Sequence, residues 1–286
     1  NRGNHTGKPN WEVDDYHACL QYIRNQEYGD SRPSWGTYAQ DHKPVLEQET
    51  IEGHAVRATL LCTGLIAAAR VNNRPDYYQA ALRLWENMVD KRMHITGGVG
   101  AIHKDEKFGA DYFLPNDAYL ETCAAVGAGF FHQGMSLAFA DSRYADELER
   151  VMYNGILNGI SFSGDAYYYQ NPLQSHAKNR WRWHECPCCP PMLLKFVGAL
   201  PGYIYAHDQK NIYINQYIGS TAEINLPDRK IYIQQKSGFP WQGKVSLVLK
   251  LEQPKEFTLF LRIPGWARGI ENPGLLYTST GIRRTS

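Results

Sequence analysis

The sequence predicts a multidomain α + β protein, with a helical part over residues 1–202 and an antiparallel β-sandwich over 203–286. Three observations carry this. Apolar residues recur at three- or four-residue steps through the first part, the spacing of one buried helix face. A two-helix unit occurs twice, separated by a long glycine-rich loop. From Tyr203 the apolar period falls to two, the period of a strand with one face buried.

The first unit comprises 54–71 (HAVRATLLCTGLIAAARV) and 76–91 (DYYQAALRLWENMVDK), joined by the turn-forming Asn72-Asn73-Arg74-Pro75. The second comprises 121–141 (ETCAAVGAGFFHQGMSLAFAD) and 143–159 (RYADELERVMYNGILNG). In the second helix of each unit a stripe is buried: Tyr78, Leu82, Trp85 and Val89, then Tyr144, Leu148, Val151 and Ile156. Helix pairs of this kind stack into solenoids or close into α/α toroids. A toroid gathers the loops of one face around a central cavity, which suits a catalytic site. The loop 95–120 is too long to be a mere connector, so we expect it to be functional. Strands are expected at 212–218, 230–235, 244–251 and 256–263, punctuated by Gly238, Pro240, Pro254, Pro264 and Gly265. Val245, Leu247, Leu249 and Leu251 should share one face, as should Phe257, Leu259, Leu261 and Ile263. The residues from Gly274 show no pattern.

Composition narrows the partner. Thirty basic side chains stand against 29 acidic ones, a net charge of +1, so nothing pulls the chain toward nucleic acid or an anionic membrane. A neutral partner is expected. The 19 Tyr and 7 Trp offer the apolar faces and polar edges that sugar sites use, though such rings also fill cores. The longest apolar run, Leu60–Ala69, is closed by Arg57 and Arg70 and is far short of the roughly 20 residues a bilayer needs. The chain opens on Asn1-Arg2-Gly3 without a starting Met and reads as an internal fragment. Asn4-His5-Thr6 fits a glycosylation sequon, a short pattern that arises often by chance. Oligomeric state is left open, a homodimer included.

Six cysteines are present, and Cys186, Cys188 and Cys189 fall within four residues. Adjacent cysteines suit a metal better than two independent disulfides. Pro187, Pro190 and Pro191 stiffen the backbone around them. Cys19 and Cys62 sit among apolar helical residues and read as small buried hydrophobes. The missing ligands are offered by Glu121-Thr122-Cys123. Residues two apart diverge along a helix body, so both can reach one ion only at a helix's first turn. One carboxylate and three thiolates make a four-coordinate site for a borderline-soft ion, most naturally Zn²⁺. Cys186 could replace Glu121 in an all-sulfur structural site.

The ordered motifs Gly53-His54-Ala55-Val56-Arg57-Ala58, Ile95-Thr96-Gly97-Gly98, Glu106 and Phe108 before Leu114-Pro115-Asn116, Glu121-Thr122-Cys123 and Cys188-Cys189-Pro190-Pro191 resemble those of the β-L-arabinofuranosidases of glycoside hydrolase family 127. The resemblance spans most of 1–270. It implies a partial (α/α)6 toroid followed by an incomplete β-sandwich, and a retaining glycosidase that releases L-arabinofuranose from β-linked oligosaccharides or glycoconjugates. It implies that Cys188 is the nucleophile on a zinc held by Glu121, Cys123, Cys188 and Cys189. Glu106 becomes the general acid/base, and His54 and Tyr169 contact the sugar. Asp41 and His42 belong to the pattern without an assigned role. Met192 stands where the family commonly has Asn, and the chain enters well inside the catalytic domain. Read alone, Glu106 lies in a charge run (KDEK) typical of a solvated loop, and His54 reads as a capping or core residue. Two rivals remain: a zinc-stabilised carbohydrate-binding or structural fragment without turnover, and an α/α-toroid lyase or epimerase. The second would need no paired Cys188-Cys189. Zinc thiolates favour a reducing cytoplasm, with a periplasmic or secreted location left open.

Overall fold

A computed structural model of the chain describes residues 36–175, 179–252, 254 and 256–268. Cys19, the Asn4 sequon and the tail from Gly274 lie outside these residues. Helices α1 (Ala55–Asn72) and α2 (Pro75–Asn87) form the first pair; α3 (Thr122–Phe139) and α4 (Ser142–Val151) form the second. The turn between α1 and α2 follows from its residues. Asn73 adopts the left-handed conformation that ends α1, and Pro75 opens α2 where no amide is needed.

The repeat runs deeper than its hydrophobic stripe. Both second helices end in a π-turn, Met88–Arg92 after α2 and Met152–Ile156 after α4. The stripe steps by five residues from Val151 to Ile156, the stride of a π-turn, and both residues are buried. Val89 likewise lies in a π-turn rather than in the body of α2.

Helix α3 is the central element, packing on α1, α4 and a fifth helix, α5 (Cys189–Ala199), which the sequence patterns did not single out. Its small residues explain how one helix serves three neighbours. A Cβ added at Gly127 would sit 2.2 Å from the Thr59 hydroxyl of α1, and one at Gly129 would sit 2.8 Å from the Phe196 ring of α5. Backbones approach there as no larger residue permits. No helix among the described residues is long and apolar enough to cross a membrane.

After α5 and a short turn at Pro201–Ile204 the described residues form six strands: β1 (Tyr205–His207), β2 (Asn211–Ile214), β3 (Ser220–Leu226), β4 (Arg229–Ser237), β5 (Val245–Leu251) and β6 (Thr258–Leu261). They form two three-stranded sheets, β1-β2-β6 and β3-β4-β5. Ile212, Ile224, Leu226, Ile231 and Ile233 make a shared core, with Leu249, Leu251 and Leu259 packed against it. Three expectations need correction. Strand β2 pairs with β6 in parallel, so the first sheet is mixed rather than antiparallel. The strand expected over 212–218 stops at Ile214, and a separate strand, β3, follows. Leu261 and Ile263 are exposed, whereas Arg262 between them is 5% exposed.

That inversion has an electrostatic cause. The Arg262 guanidinium reaches Asp146 at 2.6 Å and also pairs with Glu149, both on α4. Trp266 Nε1 donates to Glu149 at 3.0 Å, and the Gly265 amide donates to Asp146 at 3.1 Å. A buried cation held by two carboxylates outweighs the burial of two aliphatic side chains, because an unpaired one would be costly. This clamp ties the sheets to the helices.

Candidate metal and catalytic centre

Three helices begin at one place. His54, Glu121 and Cys188 occupy the N-cap positions of α1, α3 and α5, and none of their side chains caps its own helix. Cys123 and Cys189 follow in the first turns of α3 and α5, which brings the alternate residues 121 and 123 together. Helix starts present unpaired amides and the positive end of the helix dipole, so three of them favour anionic side chains here.

Two backbone bridges place the remaining residues. Glu121 bridges Gln170, and the Thr122 amide donates to the Tyr169 carbonyl at 2.9 Å, which sets Tyr169 beside the start of α3. His54 bridges Lys107, and the Phe108 amide donates to the Gly53 carbonyl at 3.0 Å, which holds the Glu106 turn against the start of α1. Gly53 is required at that junction: its φ is +77°, and a Cβ would lie 1.7 Å from the Thr37 carbonyl oxygen. Asp105 and Glu106 are both left-handed, at φ 63° and 50°, as is Leu120 at φ 45° beside Glu121. Such conformations cost about 1–3 kcal/mol each and cluster where function over-determines the backbone.

The ligand atoms of Glu121, Cys123, Cys188 and Cys189 all lie within 4.8 Å of one another. The sulfurs of Cys123 and Cys189 are 3.4 Å apart, those of Cys188 and Cys189 3.9 Å. Glu121 Oε1 lies 3.4 Å from the Cys188 sulfur. A tetrahedron with zinc–sulfur bonds of 2.3 Å has edges of about 3.8 Å, and these separations straddle it. Glu121 Oε2 is buried with no hydrogen-bond partner, an atom that a cation would satisfy. The donor set therefore fits a divalent, borderline-soft ion. His54, Glu106 and Glu121 also converge within 4.8 Å, but Glu106 is already engaged by neutral donors. Tyr119 donates to Glu106 Oε1 at 2.6 Å, and His54 Nε2 lies 2.9 Å from Oε2. The Tyr169 hydroxyl donates to Glu106 Oε1 at 3.2 Å and lies 3.4 Å from the Cys188 sulfur, so one phenol oxygen joins both groups.

Electrostatics separate the thiols. Hydrogen bonds from Cys123 and Cys189 hold Cys188 far below the ordinary thiol range, against its burial. Its partner Cys123 is driven up by those contacts and by burial. Burial, then the charges of Glu106 and Cys188, push Glu121 up to about 9. Burial lowers His54, with Glu106 opposing. Both Tyr119 and Tyr169 are raised, first by burial, and remain proton donors.

All seven residues singled out from sequence converge here. Cys186 is exposed and is not among the four groups whose ligand atoms converge, although its thiol neighbours Cys188 and Tyr169. Cys62 is a buried thiol pushed up to about 12, as expected of a packing residue. Tyr119 was missed. A tyrosine two residues before a helix start carries no distinguishing signal until the 95–120 loop folds back on itself.

Residues 10–202 match the family described as the β-L-arabinofuranosidase GH127 catalytic domain, and 211–274 match the GH127 middle domain. The chain is 37% identical to a non-reducing end β-L-arabinofuranosidase of Bifidobacterium longum subsp. longum, over 82% of this chain and 38% of that protein. Two solved structures are similar. One is a GH127 β-arabinofuranosidase, at 40% identity and TM-score 0.80, with 91% of this chain and 40% of that one covered. The other is a GH127 β-L-arabinofuranosidase from Geobacillus stearothermophilus T6, at 36% identity and TM-score 0.81, with 86% and 41% covered. The chain spans about two fifths of the length of these relatives.

Proposed function

Because this chain belongs to the GH127 β-L-arabinofuranosidase family, we propose that it carries the centre of a retaining glycosidase that releases L-arabinofuranose from the non-reducing end of β-linked oligosaccharides or glycoconjugates. One observation carries the reading: the thiol of Cys188 and the carboxyl of Glu106 touch the same tyrosine oxygen. That short separation suits direct displacement by the first group, with no water lodged between the two.

In this reading Glu121, Cys123, Cys188 and Cys189 hold Zn²⁺, which when bound keeps thiolate available at neutral pH. Cys188 Sγ attacks the anomeric carbon as Glu106 gives its proton to the departing oxygen, leaving the sugar bonded to sulfur. Glu106, now ionised, takes a proton from water as that water displaces the sulfur. Tyr119 and His54 fix the two Glu106 oxygens through both steps, and Tyr169 orients its proton between the reacting groups. His54 and Tyr169 also contact the sugar. Residues 1–202 form part of an (α/α)6 toroid and 203–286 part of a β-sandwich.

Metal analysis with thiol titration, and hydrolysis of an aryl β-L-arabinofuranoside, test this directly. We expect one zinc per chain, release of the aryl group, and labelling of Cys188 by an arabinosyl haloacetamide. Labelling elsewhere, or three freely titrating thiols with no metal, would overturn it. The rival reading is a zinc-stabilised carbohydrate-binding or structural fragment without turnover. A chain that binds zinc and arabinofuranoside without hydrolysis would support that rival.

A further inference from the structure

A groove of about 830 Å³ runs between α4 and the turns at 238–242 and 265–268, and none of its lining residues belongs to the thiol centre. That volume is usual for a small-molecule site. Its floor is closed by the buried Trp85, whose indole hydrogen is spent on His132 of α3. Its rim carries two exposed indoles, Trp241 at 91% and Trp266 at 54%. Trp266 is fixed on two sides. Phe239 covers one face, with centroids 5.5 Å apart and 29° between planes, and Nε1 donates to Glu149 at 3.0 Å. The charges of the wall balance one another. Arg143 lies 3.7 Å from Glu86, Arg150 lies 3.3 Å from Glu147, and Asp146 and Glu149 share Arg262. Asp90 and Arg268 add one charge of each sign.

From this geometry we infer that the groove is a separate binding site for a neutral oligosaccharide, with one sugar ring on the free face of Trp266 and another at Trp241. The site goes beyond the functional reading above and stands whether or not the thiol centre turns over a substrate. An indole held with one face covered and the other free receives the C–H face of a sugar ring at little ordering cost. Paired carboxylates and guanidinium groups keep spare acceptors and donors, which take the ring hydroxyls. Balanced charge gives a free ion no net field to follow. An apolar protein surface fits no better, because it would strip water from the half-exposed Glu86 and Arg143 without replacing its hydrogen bonds. Sugar hydroxyls replace that water.

The test is calorimetric titration of the full chain with three neutral probes, 1,5-linked α-L-arabinotetraose, xylotetraose and cellotetraose. We expect at least one to bind, and Trp241→Ala and Trp266→Ala each to weaken it about tenfold or more. Trp266 also holds Glu149, so its variant puts the fold at risk; Trp241 stands clear of the protein, and its variant keeps the test decisive. Tyr169→Phe, at the thiol centre, should leave the oligosaccharide affinity unchanged. Trp241→Ala should likewise leave hydrolysis of an aryl β-L-arabinofuranoside unchanged. Binding of none of the three probes overturns the site, as does binding that survives Trp241→Ala. Equal weakening by Tyr169→Phe would place the sugar at the thiol centre and also overturn it. So would self-association of the chain that Trp241→Ala abolishes without any sugar bound, which would mark a protein interface. Groove binding without aryl-glycoside hydrolysis supports the site while counting against the functional reading alone.

Discussion

Helices α3 and α4 are neighbours in one pair, yet they begin in opposite ways. At the start of α4 the Asp141 carboxylate accepts from the Arg143 amide at 2.9 Å, an ordinary stabilising cap. At the start of α3 the equivalent residue, Glu121, leaves its helix uncapped and turns to three sulfurs. His54 and Cys188 do the same at α1 and α5. Side chains that could have stabilised helices are spent at the site, beside left-handed backbone at residues 105, 106 and 120. The helix bodies supply the compensation, through the close α1–α3 crossing at Gly127 and the large buried cores. On the functional reading proposed above, the difference separates residues kept for chemistry from residues kept for folding, and variants can test the division.

The largest effect belongs at the uncapped start of α5. Cys188→Ser should lower turnover more than about 10³-fold while the melting temperature stays within a few degrees. Residual rates near wild type in an aryl-glycoside assay would refute the division at its centre. Next, Glu121→Gln should weaken zinc by at least about 100-fold, read by competition with a chelator, since an uncharged ligand replaces the one carboxylate in the set.

In the body of α3 the expected effect is on stability alone. Trp85 Nε1 donates to His132 Nδ1 at 2.9 Å, and burial lowers His132 to about 3. The folded chain therefore holds this histidine neutral where the unfolded chain protonates it. Stability contributed by the neutral form is present above the unfolded value near 6.5 and is lost as pH falls toward 3. Between pH 6.5 and 5 the loss should be about 2 kcal/mol. His132→Gln should remove close to one proton from the denaturation slope, and an unchanged slope would count against it. The smallest effect belongs to the ordinary cap: Asp141→Ala should cost about 1 kcal/mol in a denaturant melt and leave kcat/KM unchanged.

Legibility followed the same line. The convergence of Glu121, Cys123, Cys188 and Cys189 could be anticipated because Cys188 and Cys189 are adjacent, flanked by prolines, and because Glu121-Thr122-Cys123 brings both side chains together only at a helix start. Both are local facts. Glu106 could not be read from its surroundings, since KDEK resembles any solvated loop. Only the bridges from Ile102 and His54 to Lys107 turn it toward Tyr119 and Tyr169. The stripe of Tyr144, Leu148, Val151 and Ile156 is buried as its period predicts, whereas on α2 Tyr78 and Leu82 are only partly buried and Ala80, Ala81 and Leu84 join Trp85 on the buried face. The final strand failed at Leu261 and Ile263, where alternation met a charge clamp whose partners lie on α4.

By itself the sequence determined the two helix pairs, the change to strands near residue 203, and a thiol-rich ligand set, because periodicity and residue chemistry act over a few positions. Only the tertiary structure decided that three helix starts meet, that one tyrosine oxygen joins Cys188 to Glu106, and that Arg262 is buried. Those are distances between segments far apart in the chain, set by close helix crossings and buried charge pairs that no local pattern encodes.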